Sequence, residues 1–247
     1  MTQRNLPGQI SDETGFETLE LFAQTDRFNS WLFETLTRDC KDNILEIGSG
    51  IGNISALLLE KYHEVTLSDL RDEYCGLLRH KFGNNPGLAG IESLDLSELR
   101  FDHKYRHLMN RFNSIIASNV IEHIQDDKLA IRNCRSMLRP KGRLAVLVPA
   151  YQALYNGFDR ELGHYRRYNQ KKLSAIFEEE GFGIVSAKYF NFSGIFGWWF
   201  AGSVLRKKMI PKNQLVLYNK LVPAFELTDR LLMNRIGLSV IVVGEKK

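Results

Sequence analysis

The sequence predicts an α/β fold in which helices cover both faces of a mostly parallel β-sheet. Between residues 40 and 150, short apolar runs alternate with segments whose apolar residues recur at helical spacing. This alternation is typical of parallel strands joined by helices, and such sheets are covered on both faces. The first apolar run ends in three glycines at alternate positions, Gly48, Gly50 and Gly52, as expected where a strand turns sharply into a helix.

The individual elements follow from the same patterns in chain order. From residue 17, apolar side chains at helical spacing predict an N-terminal helical cap before the first strand. Beyond residue 150, two β-branched runs predict a last pair of strands. The predicted strands occupy residues 44–47, 64–68, 90–94, 112–118, 142–148, 183–189 and 238–244, and the predicted helices residues 54–62, 73–82, 124–138 and 171–180.

Length and composition fit one globular domain. The chain has 247 residues, of which 44% are hydrophobic and 25% charged, ordinary values for a domain with a sizeable core. A net charge of +4 is too mild to indicate a nucleic-acid partner, and none is expected. The cysteines, Cys40, Cys75 and Cys134, are odd in number and lack metal-ligand spacing, and residues 1–15 are polar. We therefore expect a cytoplasmic protein without a secretory signal.

The glycine-rich turn carries the clearest chemical signal. Glycines allow positive φ and a close approach of a ligand to the backbone, and the amides of the following helix N-terminus would face that ligand. Asp69 lies seventeen residues after Gly52, at the end of the second apolar run, where a carboxylate can accept hydrogen bonds from both hydroxyls of a ribose. Glu46 adds a second carboxylate two residues before the first glycine. These residues predict a site for a ligand that contains a ribose.

The run E-I-G-S-G-I-G-N at residues 46–53 resembles motif I of the class I S-adenosylmethionine-dependent methyltransferases, (D/E)-x-G-x-G-x-G. Residues 118–124 and 138–143 resemble motif IV of the same family and the turn before its fifth strand. The resemblance is specific over about residues 40–150. It implies a Rossmann-like, seven-stranded sheet with an antiparallel final pair, and S-adenosyl-L-methionine as the cofactor.

The cofactor site that the resemblance implies lies at the carboxyl ends of the strands. Glu46 and the glycine loop are expected around the amino-acid end of the cofactor, and Asp69 at the ribose. Asp95 can accept a hydrogen bond from the adenine amino group while Leu96 or Leu70 packs on the ring, or Asp95 can instead cap a helix. Asn119 and His123 are expected near the sulfonium. The predicted cofactor-binding residues are Trp31, Glu46, Gly48, Ser49, Gly50, Gly52, Asn53, Asp69, Leu70, Asp95, Leu96, Asn119, Val120 and His123.

The adjacent pair Glu122-His123 raises the question of a metal ion. Some RNA and quinone-precursor methyltransferases bind a divalent metal through an E-x-x-E-H motif, but this chain has Asn119 at the first position. One of the charged ligands is therefore missing, and such a pair is more often a helix cap or a pocket wall. We expect no metal.

Residues 151–168 combine tyrosines, arginines and a histidine in a way that a buried core would not need. Their pattern D-x-x-x-G-H-x-R-R-Y resembles a bacterial methyltransferase branch associated with cell-surface saccharide or lipid assembly. His164 could take a proton from an attacking hydroxyl, and Arg166 and Arg167 could hold a phosphate or carboxylate. In the alternative, Arg166 and Arg167 form surface ion pairs with Asp159 and Glu161, and His164 is structural. The predicted substrate-binding residues are Tyr151, Tyr155, His164, Arg166, Arg167 and Tyr168, and the predicted catalytic residues are His164, Tyr168 and His123.

An insertion separates the last two strands, where the fold needs only a hairpin. Residues 192–205 carry no charge and include paired tryptophans, and Arg206-Lys207-Lys208 follow directly. The segment is too short and too rich in glycine for a transmembrane helix, but an apolar helix with a basic end suits a membrane interface. The alternatives are a lid packed on the domain and a homodimer contact through residues 192–208. Peripheral contact with the inner membrane face is thus one of three interpretations.

We therefore predict a single methyltransferase domain over residues 1–247. It comprises an N-terminal helical cap at 1–40, a cofactor-binding core at 41–150 and a substrate-side segment at 151–247 that contains a helical insertion at about 192–235. Trp31 of the cap would either contact the cofactor or pack the cap on the sheet.

The predicted function is methyl transfer to an acceptor, preferably a hydroxyl of a small molecule, a saccharide or a lipid-linked intermediate. An NAD(P)-dependent oxidoreductase of Rossmann type is the nearest alternative, because Asp69 would serve there equally well. It is disfavoured because the third glycine of the dinucleotide pattern is missing and no Tyr-x-x-x-Lys pair stands in a suitable place. A non-catalytic S-adenosylmethionine-binding scaffold is disfavoured by intact acidic residues at three strand ends.

Overall fold

A computed structural model describes residues 12–205 and 212–247, and within them seven strands form one sheet. The strands are β1 (Ile44–Ile47), β2 (Val65–Asp69), β3 (Leu88–Ser93), β4 (Phe112–Ser118), β5 (Leu138–Pro149), β6 (Phe182–Phe190) and β7 (Ser239–Lys246). Their order across the sheet is β3-β2-β1-β4-β5-β7-β6, and β7 runs antiparallel to both of its neighbours. The predicted fold class, with its antiparallel final pair, is confirmed.

Helices cover both faces of this sheet. They are α1 (Asp12–Ala23), α2 (Asp26–Thr37), α3 (Asn53–Lys61), α4 (Asp72–Phe82), α5 (Phe101–Lys104), α6 (Asp127–Met137), α7 (Gly157–Glu161), α8 (Gln170–Glu179), α9 (Gly194–Trp199) and α10 (Lys212–Leu231). Successive strand residues point to opposite faces, so Ile115 of β4 joins a core cluster with α6 and α8, whereas Ile116 joins another with α2 and α3. The sheet is thereby buried on both sides.

Most element boundaries fall within two residues of the prediction, and the larger differences have local causes. α6 begins three residues later than predicted because the Asp126 side chain caps it, accepting a hydrogen bond from the Leu129 amide at 2.9 Å. β5 begins at Leu138 because the predicted turn is a bulge within the strand, after which pairing with β4 resumes at Arg143. α10 runs through Pro223 without a break.

The strand register aligns the carboxyl ends that carry the predicted site. Ile47 of β1 pairs with Ser68 of β2 and with Ala117 of β4. The residues that follow, Gly48 and Asp69 among them, therefore emerge at one edge of the sheet. This edge lies where the strand order reverses on either side of β1, the place at which open α/β sheets bind their ligands.

The insertion between β6 and β7 is helical, as predicted, and carries exposed apolar side chains. α9 continues as a π-helical turn at Phe200–Val204, and α10 packs on α2. Phe196, Trp199 and Leu217 are each more than half exposed. In the two described ranges, no helix combines the length and apolar character needed to cross a membrane. The predicted basic end at residues 206–208 and the start of the predicted cap, residues 1–11, lie outside the described residues.

Candidate active site

The turn between β1 and α3 has a backbone that glycine adopts with least strain. Gly48 has a φ of 72° and Gly52 a φ of 87°, a region that other residues rarely enter. A Cβ on Gly48 would lie 2.5 Å from a methyl carbon of Val120, and a Cβ on Gly52 would lie 2.5 Å from the ring of Phe82. The turn therefore packs directly against the chain that follows β4, and it brings the N-terminus of α3 to the ligand-binding edge.

α1 covers this turn from the N-terminal side. The Asn53 side-chain amide donates a hydrogen bond to the Leu19 carbonyl at 2.9 Å, so this predicted cofactor residue also holds the cap in place. Trp31 is buried, and its ring lies 4.3 Å from that of Phe190, measured between centroids. This position agrees with the alternative in which Trp31 packs the cap on the sheet. A contact between the Trp31 side chain and the cofactor stays a prediction.

Glu46 is a buried carboxylate that ties the glycine turn to β1. Its Oε2 accepts hydrogen bonds from the hydroxyls of Ser49, at 2.9 Å, and Ser55. Burial raises the pKa of Glu46 to about 7, although both serine hydroxyls oppose this rise. The Ser49 hydroxyl also accepts a hydrogen bond from the Ser68 amide at 3.2 Å. Ser55 is a site residue that sequence reasoning missed, because no motif marks a serine in the first turn of α3 as a partner of Glu46.

The Glu46→Gln variant is expected to gain stability relative to the wild type as pH rises. The folded wild type keeps a proton on Glu46 up to a pKa of about 7, whereas the unfolded chain loses it near 4.5. Unfolding free energy therefore falls as pH rises through this window, and glutamine removes that fall. Denaturant titrations without ligand at about pH 4.5 and about pH 8 should show the free-energy difference between variant and wild type growing by about 1–3 kcal/mol. A difference independent of pH would contradict the raised pKa.

Asp69 ends β2 with its carboxylate directed to backbone amides. Its Oδ2 accepts a hydrogen bond from the Gly50 amide at 2.9 Å, and its Oδ1 accepts one from the Arg71 amide at 3.1 Å. Burial raises the pKa of Asp69, and these two amides oppose the shift. Each carboxylate oxygen can accept a second hydrogen bond, so Asp69 keeps acceptor capacity for the predicted ribose contact. The neighbouring Leu70 is 63% exposed.

Asp95 and Leu96, which were predicted at the adenine, have different environments. Asp95 Oδ1 accepts hydrogen bonds from the amide and hydroxyl of Ser97 at 2.8 and 2.6 Å. The next helix, α5, begins only at Phe101, so the alternative role of Asp95 as a helix cap does not occur. Leu96 is buried in the core. Of the two leucines proposed to pack on adenine, Leu70 is therefore the one open to a ligand.

Asn119 turns the chain back after β4. It has a left-handed backbone with a φ of 54°, and its backbone N–H donates a hydrogen bond to the Leu147 carbonyl at 2.9 Å. This turn sets Val120 against Gly48 and is followed by a 3-10 turn at Ile121–His123. The glycine turn and the predicted motif IV residues thus form one continuous wall.

A buried carboxylate, Asp159, organises the segment from 151 to 168. Its Oδ1 lies 2.8 Å from Nδ1 of His164 and 2.8 Å from Nε of Arg167, and its Oδ2 accepts a hydrogen bond from the Asn156 amide at 2.9 Å. Burial acts to raise the pKa of Asp159, yet His164 and Arg167 hold it below its ordinary value. The sequence contains the signal, since Asp159 is the first residue of D-x-x-x-G-H-x-R-R-Y, but the pattern alone indicates only an ion-pair partner for the arginines.

The end of this segment is largely engaged with protein groups. The Tyr168 hydroxyl donates to Asp127 Oδ2 at 2.9 Å, and Arg166 pairs with the same carboxylate at 2.7 Å. Arg167 donates a further hydrogen bond to the Ala150 carbonyl at 3.1 Å. The structural alternative fits Arg167 and Tyr168, which are 3% and 1% exposed, whereas Arg166 remains partly exposed. Direct substrate contacts by these side chains stay predictions.

Glu122, His123 and His164 form a polar cluster beside Asp159. One potential ligand atom from each residue lies within 4.8 Å of the others, and the two imidazole rings meet nearly at right angles with centroids 4.7 Å apart. Neither carboxylate oxygen of Glu122 has a hydrogen-bond partner among the described residues. Burial raises the pKa of Glu122 to about 7 and lowers that of His123 to about 3. The sequence indicated the two histidines separately, and the fold brings them together.

Tyr151 and Tyr155 lie where the chain leaves β5. Tyr151 has a φ of 59° and stacks on Tyr189 with ring centroids 5.0 Å apart. The Tyr155 hydroxyl donates to the His164 carbonyl at 2.8 Å. A cavity of about 640 Å³ is lined by Tyr151, Asn169, Gln170, Lys171, Ser174 and Tyr189. Its walls come from β6, the start of α8 and the residue Tyr151 just after β5.

The fold and the site together define the class of this protein. A glycine turn and a carboxylate at the end of the second parallel strand are the features of Rossmann-like enzymes that bind a nucleoside cofactor. Within that class, the chain belongs to the methyltransferase-domain family, whose model matches residues 15–187. The predicted methyltransferase family is thereby confirmed, and S-adenosyl-L-methionine is the methyl donor of that family.

Individual relatives are distant. The chain is 24% identical over 170 residues to the highly reducing polyketide synthase rstn3 of Aspergillus nomiae, a match that covers 64% of this chain and 6% of that protein. It spans about one twentieth of the length of the curated relatives it matches. Among solved structures, phosphoethanolamine N-methyltransferase 2 of Haemonchus contortus has a TM-score of 0.64 at 14% identity, with 100% of this chain and 61% of that chain covered. The 1,6-didemethyltoxoflavin-N1-methyltransferase of Burkholderia thailandensis has a TM-score of 0.60 at 16% identity, with 100% and 93% covered. These structural likenesses establish a shared fold.

Proposed function

We propose that this chain binds S-adenosylmethionine at the carboxyl ends of β1, β2 and β4 and transfers its methyl group to a small-molecule acceptor. The observation that carries the proposal is the contact between Asp69 and the Gly50 amide. It fixes a carboxylate beside the glycine turn, where it can accept hydrogen bonds from both ribose hydroxyls. The Haemonchus and Burkholderia enzymes were both solved with S-adenosylhomocysteine bound, which supports the same cofactor here.

The remaining cofactor residues take roles that follow from their positions. The amides at the start of α3 and the glycine turn would face the amino-acid end of the cofactor, and Glu46 would support the turn from beneath. Leu70 would pack on the adenine ring, with the free oxygen of Asp95 near its amino group. Val120, set against Gly48, would lie near the sulfonium.

We propose a hydroxyl as the acceptor group, received on the side of residues 151–168. Asp159 holds Nδ1 of His164 at 2.8 Å, the arrangement by which a carboxylate orients an imidazole that handles a proton. This geometry supports His164 as the group nearest to the acceptor proton. His123 would form the wall beside it, and Tyr168, bonded to Asp127, would act by holding the loop in place. The two similar enzymes described above are named as N-methyltransferases. The choice of a hydroxyl acceptor therefore rests on the geometry of this site and not on those enzymes.

The oxidoreductase alternative is weakened by the environment of its would-be catalytic pair. A Tyr-x-x-x-Lys spacing does occur at Tyr168 and Lys172, but the Tyr168 hydroxyl is buried against Asp127. Burial and this carboxylate raise the pKa of Tyr168 well above its ordinary value. A phenol in that position is poorly suited to exchange a proton with a bound substrate.

Calorimetry with S-adenosylhomocysteine and NAD separates these alternatives. We expect S-adenosylhomocysteine to bind with micromolar affinity and NAD to show no binding. Incubation with S-adenosylmethionine and hydroxylated acceptors, including saccharides and lipid-linked saccharides, should then release S-adenosylhomocysteine, measured by mass spectrometry. Binding of NAD in its place would overturn the proposal, and tight cofactor binding without turnover on any acceptor class would favour the non-catalytic scaffold.

The insertion bears on which acceptor reaches this site. Exposed Phe196, Trp199 and Phe200 on α9 and the turn after it support the prediction that residues 192–208 contact a membrane surface or a second copy of the chain. A membrane contact would favour a lipid-linked acceptor, since the enzyme would then work beside its substrate. Both contacts stay predictions.

A further inference from the structure

The Glu122 carboxylate is the least satisfied polar group in the site. Glu122 is fully buried, and both of its oxygens lack a hydrogen-bond partner among the described residues. Burying a carboxylate without a partner is costly, and buried charges are normally paired or coordinate metals. The two groups placed to face it are the imidazoles of His123 and His164.

We propose that Glu122, His123 and His164 bind one divalent transition-metal ion, with zinc as the first candidate. Two imidazoles and one carboxylate are a donor set that zinc and related ions take in sites that keep an open position. The potential ligand atoms all lie within 4.8 Å of one another, so small rotamer changes bring them to one ion. We expected no metal because the motif position at Asn119 lacks an acidic residue. That motif does not include His164, which follows His123 by 41 residues.

The surroundings of the three side chains are those of metal ligands. Asp159 Oδ1 lies 2.8 Å from Nδ1 of His164, which leaves Nε2 for the ion, and such carboxylate–histidine pairs are the usual support of a metal-binding imidazole. The nearby cation Arg167 is neutralised by its own pair with Asp159. His123 is partly exposed, which gives an ion a path of entry.

The position of this cluster links the ion to methyl transfer. Glu122 and His123 lie two and three residues after Val120, which packs against Gly48 of the glycine turn. The open coordination position would therefore face the acceptor. With the ion bound, the acceptor oxygen would coordinate the ion; without it, His164 would lie nearest to the acceptor proton. This role rests on the proposed function, whereas binding of the ion by the three side chains does not.

Zinc titration of the full chain, freed of metal by a chelator, tests the site. Calorimetry and elemental analysis should show one zinc per chain. Glu122→Gln and His164→Ala should weaken zinc binding by more than about 100-fold, beyond the range for losing a residue that only orients a ligand. The matched control is His107→Ala, which removes an exposed histidine outside the cluster and should bind zinc as the wild type does. Absence of binding, or equal binding by all variants, would overturn the site.

Two further measurements keep the test independent of variant folding and of the proposed function. Cobalt substitution of the wild type should give the visible absorption of a nitrogen- and oxygen-ligated ion. A thiolate band would instead assign the ion to cysteine and overturn the site. The metal-free protein is expected to bind S-adenosylhomocysteine still. The zinc titration therefore tests the metal site, and the S-adenosylhomocysteine titration separately tests the proposed cofactor site.

Discussion

Replacing Asp69 with alanine is expected to weaken S-adenosylhomocysteine binding by about 10- to 100-fold. The carboxylate would accept hydrogen bonds from the ribose hydroxyls, and the expected net loss equals about one hydrogen bond to a charged group, about 1.5–3 kcal/mol. The Asp69 carboxylate also accepts a hydrogen bond from the Gly50 amide at 2.9 Å. The substitution therefore removes an interaction that stabilises the glycine turn in the ligand-free protein. Calorimetric titration of wild type and variant measures the change directly.

The matched control for this variant is Asp72→Ala. Asp72 is an exposed carboxylate three residues further along, in the first turn of α4, and its removal is expected to leave affinity unchanged. Thermal unfolding of both variants without ligand separates loss of the ribose contact from disruption of the turn. Equal affinities of Asp69→Ala and the wild type would mean that the ribose lies elsewhere.

The positions of the strands along the chain could be predicted because they depend on local patterns, whereas the antiparallel final pair was implied by the resemblance to a known family. The run at 44–47 is short, apolar and followed by glycines, and this is sufficient to identify a strand and a turn. The positive φ of Gly48 and Gly52 and the location of Asp69 at the end of β2 follow from the same local rules. What the pattern could not show was the bulge at the start of β5, because it depends on pairing with β4 and not on residues nearby in sequence.

The site could be predicted only in part, because its key contacts join distant segments. Ser55 bonds to Glu46 from the next helix, and His164 reaches His123 from a loop 41 residues later. A sequence gives the chemical types in such a cluster but not their separation. The interpretation of residues 166–168 shows the same limit, because an arginine or tyrosine that could bind an anion can equally be neutralised inside the protein.

Arg167→Met is expected to destabilise the folded chain by about 3–5 kcal/mol, the range for removing one partner of a buried ion pair. Both partners are essentially inaccessible, with Arg167 and Asp159 side chains 1% and 0% exposed. Methionine keeps much of the side-chain volume but leaves Asp159 with His164 and the Asn156 amide as its remaining partners. Arg167 also lies over the Trp198 ring, 4.7 Å from its centroid, so a packing contact is altered as well. Denaturant unfolding of the two proteins measures the loss.

Arg166→Met is the matched control, since it makes the same substitution at the adjacent position. Arg166 pairs with Asp127 at 2.7 Å but keeps 21% of its side chain exposed, and Asp127 keeps the Tyr168 hydroxyl as a second partner. Its loss should therefore cost less than that of Arg167, about 1–2 kcal/mol. A loss of less than about 1 kcal/mol for Arg167→Met would contradict the structural role of the buried pair. If the two arginines differ as expected, Arg166 is the one free to exchange its protein partner for an anionic group. A fall in turnover with Arg166→Met, measured where the variant remains folded, would then place the charge of the acceptor at this side of the site.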